Sequence, residues 1–384
     1  MAFLFSRSKQ KAPLELVRSA KESLQRLDKL PPNVHAECQR LLFLLANENQ
    51  KGDETLAQKL AQMKLILQGT QGQHAPPPKL ATADEIADLL DTLEIKETHD
   101  NTETETIPEQ QFQLINALIS EDILLLLATN IYKLPFEARK DTQFIFSSAF
   151  RYKHPTASAQ EPIALHHILQ SRPQIVVALC NGYDHRESAM PCGSVLREAL
   201  KYDAVAALIL YDEKNDLEQP LNLSDVHTDK PSSGEGVFWK FFDWITKSSF
   251  DVGTDAFNTF REILSKHKEM VATYLETNYD QFFLKYNQKL IQSENYVIKR
   301  QSIKLLGELL LDRANYNVMT KYVDSGDHLK ICMTLLRDDR KMINYEAFHV
   351  FKVGCNRVPK IGFANLAHRS LSRIQTSRWQ CSVC

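Results

Sequence analysis

The amino-acid sequence predicts an all-α protein built from a repeated helical unit, and three observations support this fold class. Only 12 of the 384 residues are glycine, which leaves little material for the many tight turns of an all-β architecture. In many segments apolar residues recur at spacings close to 3.6, the period of an α-helix that buries one face. After about residue 110, an apolar pattern also recurs at intervals in the low to mid forties.

Helical periodicity begins in the N-terminal part of the chain. Three apolar stripes cover residues 14–27, 36–46 and 56–67. The prolines at 31–32 end the first stripe, and Gly69 ends the third. We therefore expect three helices here.

Three stretches lack this periodicity and are predicted to be surface loops. Residues 69–80 contain three consecutive prolines, and residues 96–109 are rich in threonine and acidic residues. Residues 214–235 contain prolines, serines and Gly234 between two strongly apolar regions. We interpret this last stretch as an inserted loop.

The repeat consists of a small or apolar residue followed four positions later by a large apolar residue. It occurs five times, at Phe146/Phe150, Cys192/Leu196, Ala256/Phe260, Ser302/Leu306 and Ala347/Phe351. The intervals are 46, 64, 46 and 45 residues, and removing the 22-residue insert reduces the longest to 42. Such a period in helical segments is typical of armadillo/HEAT-like solenoids, in which each unit packs on its neighbours.

Charged residues follow the same register. Arg151, Arg197 and Arg261 share one repeat position, and Glu198 and Glu262 occupy the next. A chance match is the alternative, because any amphipathic helix offers apolar residues four apart. Five units in nearly constant register favour the repeat.

Composition restricts the class of partner and the compartment. The formal net charge of −2 argues against a field that would hold nucleic acid or anionic lipid. Apolar runs such as Ile123–Ala128 and Ile175–Cys180 are only six residues long, too short to span a membrane. The N-terminus shows no secretion signal, and the seven cysteines lie mostly in apolar surroundings, as in a reducing compartment. We expect a cytoplasmic monomer.

No catalytic motif is found, and no cofactor or metal is expected. The sequence lacks a P-loop, a dinucleotide-binding glycine motif, a zincin motif and a nucleophile elbow. Cys381–Cys384 has two of the four ligands of a zinc site, and its last residue does not suit a prenylation box. His166 and His167 have no accompanying carboxylate pattern, and Asp324–Asp327 lacks the ligands of an EF-hand loop. The sequence thus disfavours an enzyme.

Specific runs of residues resemble one known family. They are SSFDV (248–252), DAF (255–257), SENYV (293–297), KRQS (299–302), KLLGELLLDR (304–313) and EAFHVFKV (346–353), together with Phe3, Phe5 and residues 66–70. These sequence motifs resemble those of the calcium-binding protein 39 family, and more closely those of its fungal branch, the hymA-type conidiophore development proteins. The resemblance covers residues 1–353, with 214–235 as an addition.

The resemblance implies an armadillo-like solenoid without catalytic activity. Proteins of this family bind kinases or pseudokinases of the sterile-twenty type and hold them in an active conformation. In animals the partners include the STRAD pseudokinase with liver kinase B, and in fungi a germinal-centre kinase that controls polarised growth and cell separation. No calcium-ligand pattern matches the family's name. An armadillo-type adaptor that binds peptide or cargo proteins without activating a kinase is the alternative.

A basic stripe is predicted on one helix. Arg300, Lys304 and Gly307 are spaced four and three apart and share one face. Phe250 and Tyr296 lie 46 residues apart at equivalent repeat positions, so we expect them to lie beside the stripe. The alternative is an ordinary solvated face with core aromatics. The resemblance favours kinase binding, because Phe250, Tyr296, Arg300 and Lys304 match positions that the family uses.

The family also has a pocket for the C-terminal Trp-Glu-Phe tail of its partner. Arg313 and Met333 match this pocket best, and Tyr316 and Lys330 are further candidates. Cations suit a carboxylate and a chain terminus, and methionine adapts to an aromatic ring. Without the resemblance, Met333 would be read as a core residue.

The resemblance ends after Val353. Residues 354–384 contain five Arg or Lys, no Asp or Glu and no sustained apolar stripe. We expect an atypical, disordered basic tail that does not complete the last repeat. A misread exon boundary or reading frame would explain it, and a genuine alternative terminus is the second explanation.

Overall fold

The computed structural model describes residues 12–28, 55–69, 106–153 and 161–355. Within these ranges all regular structure is helical, and no β-strand occurs. The all-α prediction is confirmed.

The described residues form seventeen α-helices. These are α1 Pro13–Asp28, α2 Leu56–Gln68, α3 Thr106–Ser120, α4 Ile123–Asn130, α5 Phe136–Ala149, α6 Ile163–Ser171, α7 Gln174–Asn181, α8 Arg186–Ala199, α9 Asp203–Leu210, α10 Val237–Lys247, α11 Phe250–Lys266, α12 Lys268–Thr277, α13 Tyr279–Lys285, α14 Tyr296–Leu311, α15 Tyr316–Asp324, α16 Gly326–Leu335 and α17 Lys341–Cys355. Helix α13 continues into a π-helical segment, Tyr286–Ile291, and a 3-10 turn, Arg313–Asn315, connects α14 to α15.

Two of the three N-terminal helices can be compared with their predictions. The stripes at 14–27 and 56–67 form α1 and α2. Gly69 ends α2 in the left-handed conformation, at φ 72°, and its N–H bonds to the carbonyl of Ile66. The predicted helix at 36–46 lies outside the described residues, as do Phe3 and Phe5.

The predicted loops are only partly correct. Helix α3 begins at Thr106, inside the stretch 96–109, because Pro108 in a first turn needs no amide hydrogen bond. The rest of that stretch, and 69–80 beyond Gly69, lie outside the described residues. Residues 214–235 contain only a short 3-10 turn at Leu223–Asp225, as expected for a loop.

The end of the 214–235 loop is held by hydrogen bonds to Asn278, which follows α12, and to Trp239 of α10. The backbone N–H of Ser232 donates to Oδ1 of Asn278 at 2.6 Å, and the indole N–H of Trp239 donates to Oγ of Ser232 at 2.9 Å. A Cβ on Gly236 would lie 1.7 Å from the carbonyl oxygen of Asp212. The loop therefore returns to the helices through a fixed contact that requires glycine.

The chain divides into two compact units. The first comprises residues 1–199 and 216–223, and the second comprises residues 200–215 and 224–384. In the first unit α2 packs on α5 and α5 packs on α8. In the second unit α11 packs on α14 and α14 packs on α17. Within each unit, every third helix thus stacks on its counterpart in the next repeat, as in a helical-repeat fold of the armadillo/HEAT type.

The predicted repeat register is confirmed by burial. All ten residues of the five pairs are buried, and among them Phe146, Ala256 and Ser302 have no exposed surface. The five pairs lie on α5, α8, α11, α14 and α17, with Phe150 immediately after the end of α5. The interval of about 45 residues therefore corresponds to three helices.

The repeating charges also have a structural reason. Nε of Arg151 lies 3.6 Å from Glu198, and Arg261 contacts both carboxylate oxygens of Glu308, at 2.9 and 3.1 Å. Each pair joins a stacking helix to the next one within its unit. The following arginine position is Gly307, where an added Cβ would lie 3.6 Å from a methyl group of Val350. Here close packing of α14 on α17 replaces the ion pair.

Three cysteines confirm the predicted setting of the thiols. Cys180, Cys192 and Cys332 are free and buried. Burial raises the pKa of Cys192 to about 12, which keeps it protonated. The tail cysteines lie outside the described residues. Helix α17 continues to Cys355, two residues into the segment predicted to be disordered.

Candidate protein-binding surface

The four residues predicted to bind a kinase lie on two neighbouring helices of the second unit. Phe250 is the first residue of α11 and Tyr296 is the first residue of α14. Their side chains are exposed to 68% and 38%. The alternative that these aromatics belong to the core is therefore wrong.

The two helix starts are fixed by local chemistry. The side chain of Asn295 caps α14 by accepting hydrogen bonds from the N–H groups of Val297 and Ile298, at 2.9 and 3.3 Å. Helix α11 begins directly after α10, and at Gly253 it approaches closely: an added Cβ would lie 2.8 Å from the carbonyl oxygen of Ile245. Both aromatic residues are thereby held on rigid elements.

A small cavity of about 140 Å³ opens beside Phe250. Its lining includes Phe257 and Gly253 of α11 and Val297 and Ile298 of α14, together with polar groups around them. The cavity shows that Phe250 and the first turn of α14 border one space. A cavity lined by apolar and polar groups suits the insertion of one side chain of a partner protein.

Arg300 and Lys304 lie on the outer side of α14. Lys304 is exposed, and Arg300 is 39% exposed with Nε at 3.8 Å from a carboxylate oxygen of Glu346 on α17. At this distance and exposure the ion pair contributes little to stability, so the guanidinium remains accessible to a partner. Gly307 does not extend the exposed stripe as predicted, because it is buried against α17.

Tyr296 has a cationic neighbour that the sequence did not indicate. The guanidinium of Arg340 lies 5.8 Å from the centre of the Tyr296 ring. Arg340 also forms two hydrogen bonds with the carboxylate of Asp338, at 2.8 and 2.6 Å. These bonds lower the pKa of Asp338 to about 2. The surface around Tyr296 is therefore fixed by charge as well as by packing.

Two residues of the predicted tail pocket border different grooves. Arg313 borders a groove of about 670 Å³ with apolar walls that include Leu264, Leu305 and Leu309. Tyr316 borders a different groove, of about 490 Å³, formed by α15 and the turn after it. Arg313 and Tyr316 thus face separate spaces, although they are only one turn apart in the chain.

The other two residues of this prediction lie on α16. Lys330 is exposed and bonds to Asp327 at 2.8 Å, and Met333 is half-buried. They share a face of the helix because they are three residues apart. The assignment of Arg313, Tyr316, Lys330 and Met333 to a tail-binding pocket stays a prediction.

The alternative chemical sites receive no support from the described residues. No cluster of three or more metal-ligating side chains occurs among them. Asp324–Asp327 forms the connection between α15 and α16, where Ser325 caps α16. His166 is exposed, with its Nδ1 3.5 Å from a carboxylate oxygen of Glu161, and burial lowers the pKa of His167.

None of the described helices is by itself long and apolar enough to cross a membrane. Only Glu109–Ser120 and Ile123–Lys133 taken together reach the required length and composition, and a bend of 73° separates them.

Comparison with known proteins identifies the family. The family described as Mo25-like matches residues 3–356. The conidiophore development protein hymA of Emericella nidulans is 46% identical over 353 residues, which is 92% of this chain and 80% of the relative. The human calcium-binding protein 39-like protein is 34% identical over 91% of the chain and 81% of its own length. The Mo25-like protein of Schizosaccharomyces pombe is 33% identical over 92% and 84%. The chain therefore belongs to the Mo25-like family, which includes the calcium-binding protein 39 proteins and hymA.

Proposed function

We propose that this protein is a non-catalytic scaffold that binds a kinase or pseudokinase of the sterile-twenty/germinal-centre type and activates it. The observation that carries the proposal is the exposure of Phe250, Tyr296, Arg300 and Lys304 on α11 and α14. Aromatic and arginine side chains on a rigid surface are the residues that contribute most to protein interfaces. Their coincidence with the positions implied by the family resemblance supports this partner class.

Activation requires no chemistry from the scaffold. A kinase domain exchanges between active and inactive conformations, and a surface that binds the active one more tightly increases its population. A tenfold preference corresponds to about 1.4 kcal/mol of differential binding. Stacked helices held by buried residues in every repeat suit this role, because they resist deformation on binding.

The experiment combines binding and activity. The purified full-length chain is titrated into the catalytic domain of a germinal-centre kinase from Emericella nidulans, and both Kd and the phosphorylation rate of a peptide substrate are measured. An activator raises the rate at saturation, whereas an adaptor binds without changing it. Absence of binding would rule out the proposed partner class.

Arg300→Ala tests the surface against a matched control. Removal of a charge-assisted interface contact costs about 1.5–3 kcal/mol, so we expect Kd to rise about tenfold or more. Arg261→Ala is the control, because Arg261 is a similarly exposed arginine on α11 that is engaged by Glu308. Equal effects of the two variants on Kd would show that Arg300 has no special role.

In a cell we expect the protein in the cytoplasm, with enrichment at sites of polarised growth, and a role in cell separation and conidiophore development. The similarity to hymA supports this expectation. Expression of the chain in an Emericella nidulans strain that lacks hymA provides the test. Restored conidiophores with the wild-type chain, but not with Arg300→Ala, are the expected result.

A further inference from the structure

The confirmed repeat register identifies outward positions that the candidate surface does not yet include. In each repeat, the first residue of the buried pair is Phe146, Cys192, Ala256, Ser302 or Ala347. The residue two positions before it and the residue two positions after it are not buried in any of the five repeats. The first column is Phe144, Met190, Thr254, Arg300 and Tyr345, and the second is Ser148, Ser194, Asn258, Lys304 and His349. Arg300 and Lys304 on α14 therefore have Tyr345 and His349 of α17 as their counterparts.

The register also separates this surface from a neighbouring column that is buried in four of the five repeats. A third column lies one position after the first buried residue of each pair. Its members Ser147, Gly193, Phe257 and Ile303 are all buried. The fifth member is Phe348, which is 41% exposed. Phe348 is therefore the one exposed member of this column. Tyr345, 52% exposed, belongs to a column that is outward throughout.

Helices α14 and α17 join their outward residues into one surface. The two helices pack against each other, and a Cβ added at Gly307 would lie in ordinary contact with Val350, at 3.6 Å. The Arg300–Glu346 ion pair crosses the same boundary, and Tyr345 is the neighbour of Glu346 in the chain. The rings of Tyr345 and His349 pack edge to face with centres 4.6 Å apart.

The two helices together carry an excess of positive charge. They carry five Lys or Arg and only two glutamates. Both glutamates are engaged, Glu308 by Arg261 and Glu346 by Arg300. Among the described residues no ion pair is formed by Lys304, Lys341 or Lys352. Exposed cations on the helices that carry the exposed rings of Tyr345 and His349 complement an acidic surface that also has apolar groups.

We propose that the binding surface extends from Arg300 and Lys304 across α17 through Tyr345 and His349, and that it contacts an acidic segment of the kinase domain. This inference rests on the proposed function. Tyr345 supplies a rigid aromatic contact, and His349 with the surrounding lysines attracts carboxylates.

The test measures Kd of the full-length chain for the same germinal-centre kinase domain. Tyr345→Glu places an acid opposite the acidic segment, and we expect at least a tenfold rise in Kd; His349→Glu should raise Kd at least threefold. The matched control is Phe348→Glu, an equally drastic change on the same helix but outside the outward columns, which should alter Kd less than twofold. Tyr345→Phe should also stay within twofold.

The outcomes separate this inference from the function on which it rests. If Arg300→Ala weakens binding but Tyr345→Glu and His349→Glu do not, the surface ends at α14 and the extension is wrong. If Arg300→Ala and Tyr345→Glu are both without effect, the proposed binding surface itself fails. If Phe348→Glu weakens binding as much as Tyr345→Glu, the register does not define the interface. Circular dichroism of each variant checks the fold, and Tyr345→Ala replaces Tyr345→Glu if the latter unfolds, with the same expected loss.

Discussion

Leu306→Ala tests the repeat register at one of its buried positions. Leu306 is 1% exposed and occupies the large apolar position of α14, which packs on α11 and on α17. Truncation removes three carbons from the core, and at about 0.8 kcal/mol for each buried group the transfer loss is about 2.4 kcal/mol. Because helices on both sides limit collapse of the cavity, a further cost brings the expected total to about 3–5 kcal/mol.

Urea denaturation followed by circular dichroism measures this loss, and hydrogen exchange of the α14 amides locates it. Leu311→Ala is the matched control, since Leu311 is on the same helix and 66% exposed. The control should change stability by less than about 0.5 kcal/mol. If Leu306→Ala were as stable as Leu311→Ala, the register that assigns every buried and outward position would be incorrect.

Three further predictions follow from named contacts. Arg300→Ala should leave the denaturation midpoint unchanged within error while raising Kd for the kinase domain; a large loss of stability with unchanged affinity per folded molecule would make Arg300 a structural residue. Gly253→Ala should lower the free energy of unfolding by about 1–3 kcal/mol, because the added Cβ would lie 2.8 Å from the carbonyl oxygen of Ile245. Gly326→Ala is the control and should not destabilise α16, because no atom lies within 4 Å of its added Cβ. Equal stability of the two variants would contradict the close approach of α10 and α11. The Asp338–Arg340 pair should stabilise the fold above the unfolded pKa of Asp338, about 3.9, and lose its contribution as the pH falls through the folded pKa of about 2. The stability difference between wild type and Asp338→Asn should therefore shrink between about pH 5 and pH 2, and a constant difference would show that the pair is not formed.

The buried framework could be predicted from the sequence because it depends on local periodicity. Phe260 and Leu306 are buried as their register requires, and Arg151 pairs with Glu198 and Arg261 with Glu308 across neighbouring helices. Periodicity alone does not determine the exposure of Phe250 and Tyr296, because a large aromatic residue at a helix start suits either the core or an interface. The family resemblance, rather than composition, favoured the surface.

The contacts between helices could not be predicted in the same way. The position of Arg340 over Tyr296 depends on the path of the chain between α16 and α17. The burial of Gly307 depends on how closely α17 approaches α14. A helical wheel places Gly307 beside Arg300, but the wheel contains no information about the neighbouring helix. The separation of Arg313 and Tyr316 into different grooves has the same origin.

The Arg–Glu pairs between stacking helices restrict where residues can be inserted or deleted in this protein. Arg261 and Glu308 are 47 residues apart, so gain or loss of one residue inside a stacking helix would rotate its charged and buried positions together by about 100°. Insertions between repeats leave that alignment intact, as the stretch 214–235 between α9 and α10 illustrates. Variation in length among related chains should therefore concentrate in the connections, while α5, α8, α11, α14 and α17 keep their lengths.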